Sequence, residues 1–269
     1  MKINELYNDT SHTRSIILDT GKKLNIFFLS TFTFELGQCY IGSTTVFFII
    51  NKIHESFFNN ALKNIKGITY KTPEKKKNLS IYVPEILSTL KSESGDLILV
   101  LSKTIDVLSL RDILLKEKLD QRHVAWIVNR LFMLGCFLHE QGVSFNSFST
   151  DMLFISPEFH SVMLLGGWWY TGKLDEKLIG LNREIVNNLN PIVLRDKKIV
   201  QDIDIESIKY IGRKLLKGQV VPKVLTTFLD SVSGPSIVEE YNKWDSLLVE
   251  AYGPKKFIKL SITESQLYK

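Results

Sequence analysis

The chain has 269 residues, of which 44% are hydrophobic and 16 are Phe. That is enough apolar material for one large domain or two smaller lobes, which excludes general disorder and any need for metal or disulfide staples. Lys and Arg number 34 against 29 Asp and Glu, a net charge of +5 that permits an acidic partner without demanding nucleic acid. At the start, MKINELYNDTSHTRS has no apolar stretch and no small-residue cleavage pattern, so a secretory leader is not expected. Residues 14–20 and 24–34 are apolar, β-branched and aromatic, which predicts two strands joined by a turn through Gly21, Lys22 and Lys23. CYIGSTTVFFIINK predicts a third strand and a fourth. Its apolar run, Thr44–Ile50, is far short of the roughly 20 residues that span a bilayer, so no membrane role is expected. Phe57, Phe58, Ala61, Leu62 and Ile65 recur at helical spacing and predict an amphipathic helix starting near His54 or Glu55. The polar segment 70–78, YKTPEKKKN, reads as an exposed loop, and DLILVLSK at 96–103 as a short strand.

From about residue 106 the period changes. A short helix is expected from Ser109 or Asp112 through Leu115, then a long one over 120–140. Val124, Ile127, Val128, Leu131, Leu134, Gly135 and Leu138 lie along one stripe of that helix, and Gly142 is its stop signal. A loop of small polar residues, NSFSTD, leads into two short strands at 152–155 and 161–165. Beyond Gly166 and Gly167 the chain reads as irregular to about residue 200, with helices expected at 204–217, 221–232 and 236–251.

This order resembles a protein kinase fold. The resemblance implies an α+β, bilobal protein, with a small β-rich lobe over 1–104 and a mainly helical lobe over 105–269. Its strongest stretch is 119–170, where Leu138, His139, Gly142 and Val143 match the end of the long helix and the start of the catalytic loop. The WIVNRLF run, the His160–Trp169 stretch and the closing WDSLLVEAYGPKKFIKL resemble kinase-like proteins of bacteriophages and some bacteria. That implies a virus-encoded protein in a host cytoplasm, with a viral or host protein as partner.

The family's working residues can be sought one by one. Its catalytic-loop histidine falls on Phe145, its proton-accepting aspartate on Ser147, and its metal-binding asparagine on Met152. Its metal-binding aspartate falls on Gly166 or Gly167, and neither glycine can ligate a hard cation through a side chain. The nearest carboxylate is Asp151. In the small lobe, only Gly37 and Gly42 stand where a glycine-rich loop is expected. TVFFII lacks the phosphate-pairing lysine, Lys52 follows it, and Ala61 stands where its glutamate partner is expected, with Glu55 too early. Base, metal ligands and phosphate anchors are missing together, so the resemblance implies a pseudokinase without nucleotide or metal cofactor, acting as a protein-interaction scaffold. The alternatives are a nucleic-acid binder on the same fold, or an atypical nucleotide-dependent transfer using displaced residues.

Other residues add less. The five histidines are dispersed, and Cys39 and Cys136 lack zinc-ligand spacing or a disulfide framework, which suits a reducing compartment. His139 reads as a packing or capping residue, and Trp126 and Trp244 as core anchors. Trp168 and Trp169, beside two glycines, read either as a partner-binding knob or as filling between the lobes. Lys71, Lys75, Lys76 and Lys77 form a candidate basic patch, and 195–198 and 254–259 two smaller ones. Strong phosphate binding needs about 6–10 contacts, so these serve nucleic acid only if the fold gathers them.

Overall fold

The computed structural model describes residues 12–268. The sheet-forming half begins with β1 (Thr13–Ile17) and β2 (Lys23–Phe27), a separate antiparallel hairpin whose turn carries Gly21 at φ 77°. A five-stranded antiparallel sheet follows: β3 (Ser30–Phe34), β4 (Gly37–Ile41), β5 (Thr45–Ile50), β6 (Ile86–Lys91) and β7 (Leu97–Ser102), in the order β3-β4-β5-β7-β6. The apolar run 24–34 is therefore two strands, not one. Nothing polar marks the break, because it comes where Phe28 and Leu29 shift their backbone pairing from His12 to Ile41.

Side chains alternate across a strand. In β5 this buries Val46, Phe48 and Ile50, which face the same interior as Leu97, Leu99 and Leu101 of β7. Helix α1 (Glu55–Gly67) covers that face with Phe58, Ala61 and Ile65, at the helical spacing the sequence predicts. The segment 70–78 departs from the expected loop. It contains α2 (Pro73–Leu79), started by the Thr72 side chain accepting from the Lys75 amide and by Pro73 in the first turn. The signals were a cap and an N-terminal proline, hidden in a stretch too polar to look helical.

The helical half starts at β8 (Leu108–Ser109) and α3 (Leu110–Lys116), with Ser109 as its cap, then α4 (Gln121–Glu140), capped by Asp120. The predicted stripe of α4 is its buried face. Gly135 lies where a Cβ would sit 2.3 Å from the end of the Ile237 side chain, so glycine gives that side chain its place at the helix crossing. After Gly142 at φ 73° come β9 (Val143–Ser144), β10 (Leu153–Ser156), β11 (Ser161–Leu164) and β12 (Gly172–Lys173). Strands β8, β10 and β11 form one small sheet, and β9 pairs with β12. Two four-residue helices, α5 (Arg183–Val186) and α6 (Pro191–Leu194), interrupt the region expected to be irregular. Then α7 (Gln201–Leu216) and α9 (Ile237–Tyr252) pack on α4, α8 (Lys223–Asp230) packs on both of them, and α10 (Glu264–Leu267) is the last described helix. A β-rich half and a mainly helical half thus pack against one another. Among the described residues no helix is long and apolar enough to cross a membrane.

Candidate functional site

The loop after α4 rests on one buried carboxylate. Asp204, in the first turn of α7 and fully buried, accepts from the amides of Phe145 (2.9 Å) and Asn146 (2.8 Å), from the Ser144 hydroxyl (2.8 Å) and from His139 Nε2 (2.9 Å). A desolvated carboxylate is stable when its lone pairs are met this fully. His139, expected to pack or cap, orients this anchor. Asn146 takes a left-handed φ of 58° and donates to the Tyr170 carbonyl at 3.0 Å, tying the loop to the segment after β11.

Above the loop the chemistry changes to hydrocarbon. Ser147, Met152, Gly166 and Gly167, scattered in sequence, converge here. A Cβ on Gly166 would lie 2.5 Å from Met152 Sδ and 3.0 Å from the Phe48 ring; one on Gly167 would lie 2.5 Å from the Ser147 Cβ. Phe145 packs against Phe148 (5.0 Å between centroids) and Trp168 (5.4 Å). Trp169 stacks on Phe34 (4.9 Å) and meets Phe48 edge-on (5.2 Å), joining the sheet to the helical half. Trp168 and Trp169 are each 1% exposed, so neither forms a surface knob. The Ser147 hydroxyl is buried and has no hydrogen-bond partner.

The small-lobe positions lie as follows. Phe34, Glu35, Leu36 and Gly37 make a tight hairpin turn, and a Cβ on Gly37 would lie 1.9 Å from the Ile49 carbonyl oxygen. Gly37 therefore lets β4 approach β5. It does not open a cradle. Lys52 points to the turn before β7, where its ammonium donates to the Ser94 carbonyl at 3.1 Å. Glu55 is exposed in the first turn of α1. One helical turn apart on α1, Asn60 and Asn64 both donate to the Thr171 carbonyl at 2.8 Å, and Asn60 also to that of Trp169 at 3.0 Å. Neutral amides thus hold α1 against the segment after β11, and the sequence reading missed both. The signal was an Asn pair at i and i+4 flanking the buried Ala61.

The edges of this interlobe contact carry the polar groups. Asp151 lies 3.7 Å from Arg111, and burial pushes its carboxyl upward, with Glu184 adding to the effect. Glu184 itself is occupied by Thr150 and Lys214. The segment before and including α10, tied to the same α3 turn through Asp112, buries Leu260, Ile262 and Leu267. Glu264 accepts from the Ser43 hydroxyl (2.9 Å) and faces the ammonium of Lys103 (3.7 Å), a side chain 0% exposed. Burial lowers Lys103 to about 8, against the opposing pull of Glu264. Tyr268 donates to Asp112 at 3.0 Å, and burial beside that carboxylate pushes its hydroxyl well up.

A kinase-type fold implies magnesium at these positions, and the side chains there do not fit it. Two or more oxygen ligands must converge on such an ion. The converging groups are a thioether, one serine hydroxyl, two glycines and aromatic rings. Among the described residues no group of three or more His, Cys, Asp or Glu is placed to hold a metal.

The lysine patch is not free-standing. Lys71 and Lys75 reach Glu140 at 2.9 and 2.7 Å, while Lys76 and Lys77 are exposed on α2. Trp244 is core, as expected, but Trp126 is only half-buried and lines a surface groove with part of the 254–259 patch.

No protein-family model and no curated protein matches the chain. Among solved structures it is similar to vaccinia related kinase 3, at 15% identity and a TM-score of 0.56, covering 87% of this chain and 94% of that one. At that identity the likeness shows the fold: bilobal and protein-kinase-like.

Proposed function

We propose that this chain is a catalytically inactive kinase-like protein, a pseudokinase that works as an interaction scaffold, with a viral or host protein as partner in the phage-like setting its sequence resemblance implies. The observation that supports this reading is the aromatic stack of Phe34, Phe48 and Trp169, set over Met152 and Gly166 where phosphates and metal would be handled. Phosphoryl transfer works by positioning and charge stabilisation, and hydrocarbon supplies neither. The α1 amides and the segment through Glu264 hold the two halves in one arrangement, which suits a protein that presents a fixed surface. Lys71 and Lys75 are engaged by Glu140, which weighs against a phosphate-binding role for that patch.

Purified protein with ATP and Mg²⁺ is expected to label neither itself nor generic substrates, and to show no magnesium-dependent thermal shift. Stoichiometric transfer abolished by Ser147→Ala overturns the inactive reading. Affinity capture from expressing cells, with and without nuclease, tests the scaffold: a nuclease-resistant protein partner supports it, and partners that all vanish with nuclease favour nucleic acid.

A further inference from the structure

Away from the interlobe contact, one face of α4 meets the last turns of α9 and the chain that follows. Between them lies a groove of about 350 Å³. That is within the range of small-molecule sites, roughly 300–1,000 Å³, and too small for a folded partner.

Its walls are aromatic. Trp126 lies parallel to His160, at 4.6 Å and 6°, and Phe257, which does not line the groove, backs His160 at 4.1 Å and 19°. His160 holds a left-handed φ of 46° at the tip of the β10–β11 hairpin, and Arg130 fixes that tip by donating to the His160 carbonyl at 3.0 Å. Across the groove, the Arg122 guanidinium sits over the Tyr252 ring at 5.7 Å.

The rim is cationic. Arg122, Arg130 and Lys256 all line the groove. Of the nearby carboxylates, Asp245 is engaged by Lys255 (2.6 Å) and Asn129 (3.0 Å), and Asp120 caps α4 through the Arg122 amide (2.8 Å). The balance is positive beside flat apolar surface. Forked guanidinium donors match phosphate oxygens, and aromatic faces take planar rings.

We propose that this groove binds a small planar anion of mononucleotide size, a nucleobase-like ring carrying a phosphate. The inference goes beyond the scaffold reading and stands apart from it, because no residue of the groove belongs to the interlobe contact.

The probes are 5′-AMP, adenosine and inorganic phosphate, titrated calorimetrically and by Trp fluorescence. They are applied to the full chain, to Lys256→Glu, and to the Arg122→Glu/Lys256→Glu double variant. Both positions are exposed, and an unchanged melting temperature confirms folding. The expected result is AMP binding about tenfold or more tighter than either fragment, weakened at least about tenfold by the double variant, partly by Lys256→Glu, and by added salt. Three results overturn it: no AMP binding at millimolar concentration, adenosine or phosphate binding as tightly as AMP, or AMP affinity that survives in the variants. The last would place the ligand elsewhere, and a parallel ATP–Mg²⁺ titration reads the interlobe contact separately.

Discussion

The layer beneath the loop 143–147 and the layer above it are built from opposite materials. Below, Asp204 meets the Phe145 and Asn146 amides, the Ser144 hydroxyl and His139 in a buried polar knot. Above, Phe145, Met152, Phe48 and Trp169 leave almost nothing that can bind charge. The loop keeps its path because its backbone is satisfied from below. What its side chains carry on the other side is a separate matter. Shape and chemistry come apart within a few ångströms.

The sharpest way to break that contrast is from below. Asp204→Ala strands two amides and an imidazole, at about 1–3 kcal/mol each when buried, and leaves the Ser144 hydroxyl only Asn146 as acceptor, so a loss on the order of 5 kcal/mol is expected. That approaches the whole stability of an ordinary domain, and insoluble expression or a collapsed urea midpoint is the readout. Asp204→Asn, which keeps an acceptor, should lose markedly less. A native-like midpoint for the alanine variant would show that the loop does not depend on the knot.

From above, Trp169→Ala opens a void between the halves and is expected to cost about 3–5 kcal/mol by chemical denaturation. The same variant should gain no magnesium-dependent ATP binding, since the vacated space is lined by rings and a thioether. Binding that appears would mean the aromatic stack alone had blocked an intact site.

A third prediction concerns the hinge edge of the interlobe contact. Lys103 is lowered to about 8 from its ordinary 10.5, so between those values the folded state holds fewer protons than the unfolded one. Stability attributable to Lys103 therefore rises with pH across that window, and below pH 8 the full cost of its buried charge remains. Tyr268, shifted upward, acts in the opposite direction once pH passes the usual tyrosine value. Between pH 8 and 10 the gain should be about 2 kcal/mol, and Lys103→Met should abolish it. An identical pH profile in the variant sinks the assignment.

The smallest effect belongs to Glu140, an exposed carboxylate held down to about 2 by hydrogen bonds from Lys75 and Lys71. Its lowered value means that its contribution is present above the ordinary carboxylate range and fades as pH falls toward 2. Glu140→Gln should move the melting temperature only slightly, and less at high salt. A loss comparable to that of Asp204→Ala would erase the distinction between a buried anchor and a surface one.

Legibility in the sequence followed physical range. The α4 stripe, the β4–β5 strands and the α1 face were readable because burial imprints a period on neighbouring residues. Ser147, Met152, Gly166 and Gly167 were singled out by resemblance to a kinase order, and the fold brings them together. The Phe34–Trp169–Phe48 stack left no local trace, since its members come from a turn, a strand and a segment far along the chain. Asp204 looked like an ordinary acid opening a helix. Its depth among Ile203, Ile205 and Ile208 was the available clue. Trp126 sits on a helix that is otherwise well buried, and only the arrival of Tyr252 and Ile258 turns its side into a groove wall.

The contact between Ser43 and Glu264 joins residues 221 positions apart. On a ribosome, the sheet and its hinge lysine are made long before the segment that covers them. Until residue 264 has emerged, Lys103 lacks its carboxylate partner and the apolar places of Ile262 and Leu267 stay open to water. The N-terminal half therefore passes much of its synthesis with an unfinished seam, a long-range closure of the kind that slows folding and invites chaperone attention. Fastening of the two halves waits on a segment made long after the sheet it joins.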